Sequence, residues 1–393
     1  MPLIQDCPSC GSQDISAFYQ IQDMPVHSVL LLSSREEALH FPACDVSLGF
    51  CGSCGFIFNM TYDPGLLSYS ARYEGTQAFS ATFNIFHKKL AERLIERYDL
   101  REKNILEIGC GQGEFLILLC ELGNNRGIGF DPAYDLEKEE SEYRSRITFI
   151  PDFYSEKYAD RKADFVCCKM TLEHISQTSL FMQTVRRAIG GRFETIVFFQ
   201  VPNVRRILDE LAFWDVYYEH SSYFSLGSLA RLFRNCGFNV LDLWLDYDDQ
   251  YVMIEAKPSS GDKSHALPQE NDLDELVKEI DHFTAHLGKM IGAWKEKIQD
   301  WIKARKKIVI WGASSKGVAF LNTLKIKDGC DYAVDINPYK RGTFIAGTGQ
   351  QIVSPSFLKE YKPDVVIVMN PVYCSEIQEE LDRFGLNCRL FPV

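Results

Sequence analysis

The sequence predicts an α/β protein with two doubly wound, mainly parallel sheets, preceded by a small cysteine-rich unit. Three observations carry that prediction. Short apolar runs alternate with helical patterns, NILEIG, GEFLILLCELG, RGIGFDP, ITFIPD, DFVCCKM and TIVFFQVPN following one another, and such alternation implies crossover helices over a parallel sheet. Nearer the end, KIVIWGASSKG, DYAVDINP and PDVVIVMNP repeat the plan of strand, glycine turn and acidic strand end on a smaller scale. Two matching turns, CPSCG and CGSCG, precede both series.

The 393 residues suit two or three domains, since domains usually run to roughly 100–200 residues. The cysteine-rich unit is expected over residues 1–65. From Phe79 to Tyr98, apolar side chains at Phe83, Phe86, Leu90, Leu94 and Ile95 follow the three-and-four spacing of an amphipathic helix. This helix leads into the first sheet, and a domain is expected over 66–258. PSSGDKSHALPQEND, polar and rich in turn formers, reads as an exposed linker over 259–271. Leu273, Leu276, Val277, Ile280, Phe283, Leu287, Met290, Ile291, Trp294, Ile298, Trp301 and Ile302 then mark one long helix, packed on neighbouring domains or forming a dimer seam. The second α/β unit completes the domain 272–393.

Composition narrows the function. Net charge is −12, from 42 basic and 54 acidic residues, which argues against a nucleic-acid binder. No apolar stretch has the length of a membrane span, and the first residues lack a basic flank and apolar run of signal type. A cytoplasmic protein, monomer or dimer, is expected, acting on a small molecule with neither nucleic acid nor membrane as partner. Thirteen cysteines read as reduced thiols and metal ligands rather than a disulfide framework.

Cys7, Cys10, Cys51 and Cys54 form two C-x2-C pairs, each followed by glycine. Two such pairs saturate a tetrahedral zinc ion with no open position, so the expected metal is structural Zn2+. Cys44, His27 and His40 are nearby substitutes as ligands.

In ILEIGCGQGEF, an apolar strand ends at Glu107 and Gly109, Gly111 and Gly113 alternate into a helix. Glycines admit close approach of the backbone to a ligand. A dinucleotide enzyme would more often space them G-x-G-x-x-G, so NAD read through Asp131 is the competing possibility. Asp131 closes the next strand, where a carboxylate can accept ribose hydroxyls. Asp152 and Phe153 follow the third, where an acid can meet an adenine amine and a ring can stack on it.

YYEHSSYFS, residues 217–225, crowds three tyrosines, a carboxylate and an imidazole together. As a helical turn it would place Tyr217, His220 and Tyr223 on one face, with Glu219 reaching Tyr223. Histidine serves as a base near neutral pH, and phenols can hydrogen-bond an oxyanion. The same residues also suit plain packing beneath a sheet.

The glycine spacing after a glutamate resembles motif I of the class I methyltransferases, which bind S-adenosylmethionine on a Rossmann-like sheet. The whole order, with two cysteine knuckles, EIGCGQGEF, the Glu219-His220 dyad and WGASSKG, resembles the sugar C-methyltransferase family across essentially the full chain. The resemblance implies a zinc-binding domain, an S-adenosylmethionine-dependent methyltransferase domain and a second Rossmann-like domain for substrate. It implies C-methylation of a nucleotide-linked keto sugar, with His220 as the base that forms an enolate. Glu219 would support it, Tyr217 contact substrate or enolate, and Tyr73 and His174 match two further family positions. The chain departs from that family where a histidine, two glycines and an arginine are expected in the strand after the dyad, having Tyr247-Asp248-Asp249-Gln250-Tyr251 instead. O-methylation of a glycan or natural-product hydroxyl, and a non-catalytic zinc scaffold, are the alternatives. The WGASSKG loop, with Lys316 and Asp335, could cradle a phosphate or be an inert repeat of the fold.

Overall fold

The computed structural model of the chain describes residues 3–67, 70, 72–136, 145–261 and 264–393. The cysteine-rich unit forms β1 (Ile15–Pro25), the short helix α1 (Arg35–Leu39), β2 (Ala43–Cys51) and β3 (Ile57–Asn59). Each knuckle closes with the same bond, Gly11 N–H to the Cys7 carbonyl and Gly55 N–H to the Cys51 carbonyl, both 2.8 Å. The identical closure follows from the identical C-x2-C-G sequence.

Helix α2 (Ala81–Tyr98) buries the predicted stripe of Phe83, Phe86, Leu90, Leu94 and Ile95. It begins after Phe79 because the Ser80 side chain caps it, accepting from Phe83 N–H. There follow β4 (Asn104–Ile108), α3 (Glu114–Gly123), β5 (Arg126–Phe130), β6 (Ile147–Ile150), β7 (Phe165–Lys169), α4 (Thr178–Ile189), β8 (Ile196–Pro202), α5 (Val204–Asp209), β9 (Ser222–Tyr223), α6 (Leu226–Asn235), β10 (Phe238–Asp246) and β11 (Tyr251–Pro258). The central sheet has the order β10-β11-β8-β7-β4-β5-β6. Its core is parallel, and the β10–β11 hairpin adds antiparallel to β8. Winding moves outward from β4 through β5 to β6, then returns to β7 on the other side. This reversal opens a crevice at the carboxyl ends of β4 and β7, the usual ligand position in such sheets.

Two expectations need correction here. YDDQY does not lie within a strand: Tyr247, Asp248 and Asp249 have φ of 55°, 57° and 55°, and three successive left-handed residues cannot pleat. They make the β10–β11 turn. The linker is not exposed throughout, because Glu270 is buried, held by an ion pair from Arg234 of α6 at 2.6 Å, and Asp272 just past it is buried likewise by Arg231 at 2.7 Å. Residues 262–263 of that segment lie outside the described residues.

Helix α7 (Leu273–Lys303) buries Leu276, Ile280, Phe283, Leu287, Trp294 and Ile298. These side chains share a core with Met24 of β1, Val204 and Leu208 of α5, and Phe320 of α8 (Ser315–Leu324), so the stripe packs between neighbouring units. The last sheet contains β12 (Ile308–Trp311), β13 (Tyr332–Val334), β14 (Gln351–Val353), β15 (Val365–Val368) and β16 (Arg389–Pro392), with α9 (Leu358–Tyr361) and α10 (Cys374–Arg383). All its strands are parallel, in the order β14-β13-β12-β15-β16.

Strand β9 leaves the central sheet's region and pairs antiparallel with β3, Ile57 opposite Tyr223 and Phe58 opposite Ser222. Among the described residues no helix is long and apolar enough to cross a membrane.

Candidate active site

The carboxyl edges of the central and last sheets open into one cavity of about 1060 Å³. Glu107, Gly109, Gly111, Asp131, Asp152 and Phe153 line it, as do Tyr73, His174, Tyr217 and His220. Gly113 and Glu219 do not. Gly113 lies behind the loop, where a Cβ would come within 2.5 Å of the Phe149 ring, and a Cβ on Gly109 would come within 1.9 Å of Thr171 Oγ1. The loop therefore leaves an uncovered backbone cradle of the kind a nucleoside-bearing ligand uses.

Asp131 accepts from the backbone N–H of Gly111 at 2.9 Å and of Ala133 at 2.8 Å, so it holds the glycine loop as well as facing the cavity. Burial raises its pKa. Asp335 repeats this arrangement in the last sheet, accepting from Ala313 and Asn337 N–H at 3.2 and 2.9 Å. Asp152 is paired with Lys157 and accepts from the Tyr158 hydroxyl at 2.6 Å, and these bonds hold its carboxyl below the usual range. The Phe153 ring is exposed at the cavity mouth.

The dyad segment is not a helical turn. Tyr217 to His220 form a tight turn closed by His220 N–H to the Tyr217 carbonyl at 3.2 Å, and β9 follows. Pairing with β3 pulls the chain extended, which a continued helix would prevent. The expected cluster nevertheless forms: the His220 ring lies 4.2 Å from that of Tyr217, 5.0 Å from His174 and 5.8 Å from Tyr223. Glu219 points away from Tyr223, toward the cysteine-rich unit. It meets His27 Nδ1 at 2.9 Å and accepts from Ser28 N–H at 2.8 Å and from the Ser28 hydroxyl. Its backbone carbonyl lies 3.1 Å from His174 Nδ1. Glu219 is thus a positioning residue, tying the turn that carries His220 to the unit ahead of it.

Burial opposes the Glu219 charge, but the hydrogen bonds from His27 and Ser28 and the nearby imidazoles outweigh it and lower its pKa. A carboxyl that ionises more readily when folded stabilises the fold above its unfolded pKa, and that contribution is lost as pH falls through the folded value. Glu219→Gln is accordingly expected to destabilise the protein by about 2–3 kcal/mol at pH 7. The difference from wild type should narrow below about pH 4.5, as thermal melts over a pH series would record. A constant difference would contradict it.

Burial drives the His220 pKa well below its ordinary value, with His174 and Lys316 adding to the effect. The ring is neutral, and its buried Nδ1 has no hydrogen-bond partner among the described residues. Beside it Glu173 is fully buried with neither carboxylate oxygen partnered among the described residues, and burial raises its pKa to about 8. The Glu173, His174 and His220 side-chain donor atoms all lie within 4.8 Å of one another. Glu173 escaped the sequence reading because nothing in TLEHI distinguishes an unpartnered carboxylate from a solvated one.

On the C-terminal side of the cavity two of the lining lysines have carboxylate or hydroxyl partners. Lys316 pairs with Asp215 at 2.6 Å, and Lys340 contacts the Ser314 hydroxyl and lies 3.5 Å from Asp335. The loop turn after β10 contributes Gln250, whose amide exchanges hydrogen bonds with Asn370 at 3.1 and 2.9 Å.

Away from the cavity, the four predicted cysteines converge. Cys7 Sγ lies 3.7 Å from Cys54 Sγ and Cys10 Sγ lies 3.7 Å from Cys51 Sγ, with all four sulfurs within 4.8 Å of one another. A tetrahedral zinc site with arms near 2.3 Å has sulfur–sulfur edges of about 3.8 Å, so the donor set fits that ion. His27, a possible substitute ligand by sequence, is instead the partner of Glu219.

Residues 83–243 match the family described as a methyltransferase domain, and residues 257–387 match the C-methyltransferase C-terminal domain. The chain is similar to the C-methyltransferase NovU of Streptomyces niveus, 23% identical over 414 residues, covering 99% of this chain and 95% of that protein. Among solved structures it is similar to magnesium protoporphyrin IX methyltransferase of Synechocystis PCC 6803 with bound S-adenosylhomocysteine (TM-score 0.36, 14% identity, 47% of this chain and 89% of that one). It is likewise similar to the PH0226 protein of Pyrococcus horikoshii OT3 (TM-score 0.37, 17% identity, 47% and 94%). Both are too distant to bear on the chemistry of this site.

Proposed function

The chain is an S-adenosylmethionine-dependent methyltransferase of the C-methyltransferase family, its methyltransferase domain followed by that family's C-terminal domain, and on that premise we propose that it methylates a carbon beside the ketone of a nucleotide-linked keto sugar. The observation that carries this reading is His220, a buried neutral imidazole with an unspent Nδ1 on the wall of the cavity shared by both sheets.

S-adenosylmethionine, when bound, supplies an electrophilic methyl group. The residues that would hold it are the Gly109 and Gly111 backbone, Asp131, Asp152 and Phe153, with Glu107 at the strand end. His220 takes the proton from the carbon next to the ketone, and the electron pair of that C–H bond becomes the enolate that would form the new carbon–methyl bond while the sulfur–methyl bond of the donor breaks, its electron pair staying on sulfur and S-adenosylhomocysteine leaving. The proton stays on the imidazole, and Glu173 in its ionised form is the neighbouring charge able to stabilise the resulting cation. Tyr217, beside His220, donates a hydrogen bond to the enolate oxygen in this reading, while Tyr73 and His174 line the same cavity. The four-cysteine cluster holds a structural zinc ion.

The nucleotide-linked substrate is supported by Lys316, Lys340 and Arg341 on the wall contributed by the last sheet, with Lys316 near enough to His220 to help lower its pKa. Incubating the protein with methyl-labelled S-adenosylmethionine and a panel of nucleotide-linked 4-keto sugars, then fragmenting the products by mass spectrometry, tests both parts. Label on a ring carbon is the expected result. Label on oxygen would replace enolate formation by deprotonation of a hydroxyl at His220, and absence of label from every sugar would overturn the substrate class.

A further inference from the structure

Glu173 carries more unspent bonding capacity than the proposed reaction uses. It is fully buried, and neither carboxylate oxygen has a hydrogen-bond partner among the described residues. A buried carboxylate is costly unless it is paired, hydrogen-bonded or bound to a metal ion, so its neighbours decide what it is for. They are two imidazoles. The donor atoms of Glu173, His174 and His220 lie within 4.8 Å of one another, all three residues line the cavity, and His220 Nδ1 is likewise unpartnered among the described residues.

The two turns that carry these side chains are stitched together. The Ser221 hydroxyl donates to the Glu173 carbonyl at 3.1 Å, and the Ser222 hydroxyl to the Ile175 carbonyl at 3.3 Å. His174 Nδ1 lies 3.1 Å from the Glu219 carbonyl, which can only accept, so Nδ1 carries the proton and the ring's lone pair is on Nε2. A metal-binding histidine is held in this way, its other N–H on a backbone carbonyl or carboxylate. Two nitrogens and one carboxylate oxygen suit a borderline divalent ion such as zinc, with the cavity side as the open position. Bonds of about 2.1 Å set tetrahedral donors about 3.4 Å apart, so a set already within 4.8 Å closes on an ion by small side-chain rotations. Of the charges that reach the cluster, Glu219 favours a cation, and Lys316 opposes it but is paired with Asp215 at 2.6 Å.

We propose that Glu173, His174 and His220 form a second metal site, open toward the cavity, that takes a zinc-class divalent ion and inhibits methyl transfer when filled. It differs in kind from the four-cysteine cluster, which four thiolates close and which lies away from the cavity. Filled, the site spends the His220 lone pair on the ion, and a coordinated imidazole accepts no proton from a substrate. That consequence rests on the reading of His220 as the base, whereas the binding rests on the donor set alone. A separate imidazole pair, His282 and His286 on α7, is exposed and stacked at 4.5 Å. It belongs to no three-donor group among the described residues, and so serves as the control.

Cobalt(II) added to the full chain, its cysteine cluster already filled with zinc, tests the site. One further ion per chain is expected, with visible d–d absorption and no sulfur-to-cobalt charge-transfer band, and methyl transfer should fall in proportion to its occupancy. Glu173→Gln keeps the shape and removes the charge. It should weaken cobalt binding by about 100-fold or more, above the roughly 10- to 100-fold that losing an outer-shell partner costs, and His220→Ala should do the same. Each variant is first shown to bind S-adenosylhomocysteine, and His286→Ala should match wild type. Absence of the d–d bands from wild type, or bands of undiminished strength in both Glu173→Gln and His220→Ala, would overturn the site. Cobalt bound there with methyl transfer unimpaired would overturn the inhibition and take the base role from His220. Bands that respond to the variants in a chain that methylates none of the sugars would confirm the site while the proposed reaction fails.

Discussion

Replacing His220 by alanine is expected to reduce methyl transfer by about 10²- to 10⁴-fold, the contribution of a positioned general base, while leaving the affinity for S-adenosylhomocysteine nearly unchanged. The two effects separate because His220 stands on the turn before β9, whereas the glycine cradle belongs to β4 and α3. A more direct readout exists. If His220 removes the proton beside the ketone, wild-type protein in D2O should exchange that hydrogen of a keto sugar even with S-adenosylhomocysteine in place of the methyl donor, and His220→Ala should not. His220→Asn, closer in shape, should behave as the alanine variant does. Exchange at the wild-type rate in both variants would take the base role from His220, and loss of ligand affinity would give it a structural role instead.

Removing the metal from the four-cysteine cluster is expected to abolish turnover even though the cluster lies outside the cavity. Structural zinc contributes about 10–16 kcal/mol of folding free energy in small domains, far more than the three-residue strand β3 can supply alone. Strand β3 leaves the second knuckle directly and pairs with β9, and Asn59 N–H donates to the Ser221 carbonyl at 3.0 Å, one residue from the proposed base. The same unit presents His27 and Ser28 to Glu219. Without the ion these restraints on the 217–223 segment go together, while the central sheet keeps its own hydrogen bonds. Metal analysis should find one zinc per chain. Chelation, or Cys51→Ser, should lower the melting midpoint and turnover in parallel while S-adenosylhomocysteine still binds. Full turnover by protein shown to contain no zinc would refute this coupling.

Some of this architecture is legible residue by residue. The stripe of α2, the stripe of α7 and the alternation of strands and helices follow from spacing alone, because burying one face of an element imposes its own period on the sequence. The cysteine pairs are legible because a metal's coordination geometry restricts both residue type and separation. YDDQY misled because its aromatic ends resemble a strand, while the left-handed conformation of Tyr247, Asp248 and Asp249 is set by the hairpin they close. The linker misled similarly. Its polar composition suits solvent, yet Arg234 on α6 buries the carboxylate of Glu270.

The sequence by itself determined the kind of protein: an α/β chain with a glycine cradle after a glutamate, a four-cysteine cluster and a histidine crowded by tyrosines. Only the tertiary structure decided what those groups face. It turned Glu219 from Tyr223 to His27 and Ser28, and set Glu173 beside His220. Local pattern reports which surface of an element must be buried, whereas the partners of a buried charge come from strands and units distant in the chain, brought together by sheet register and by the β3–β9 pairing.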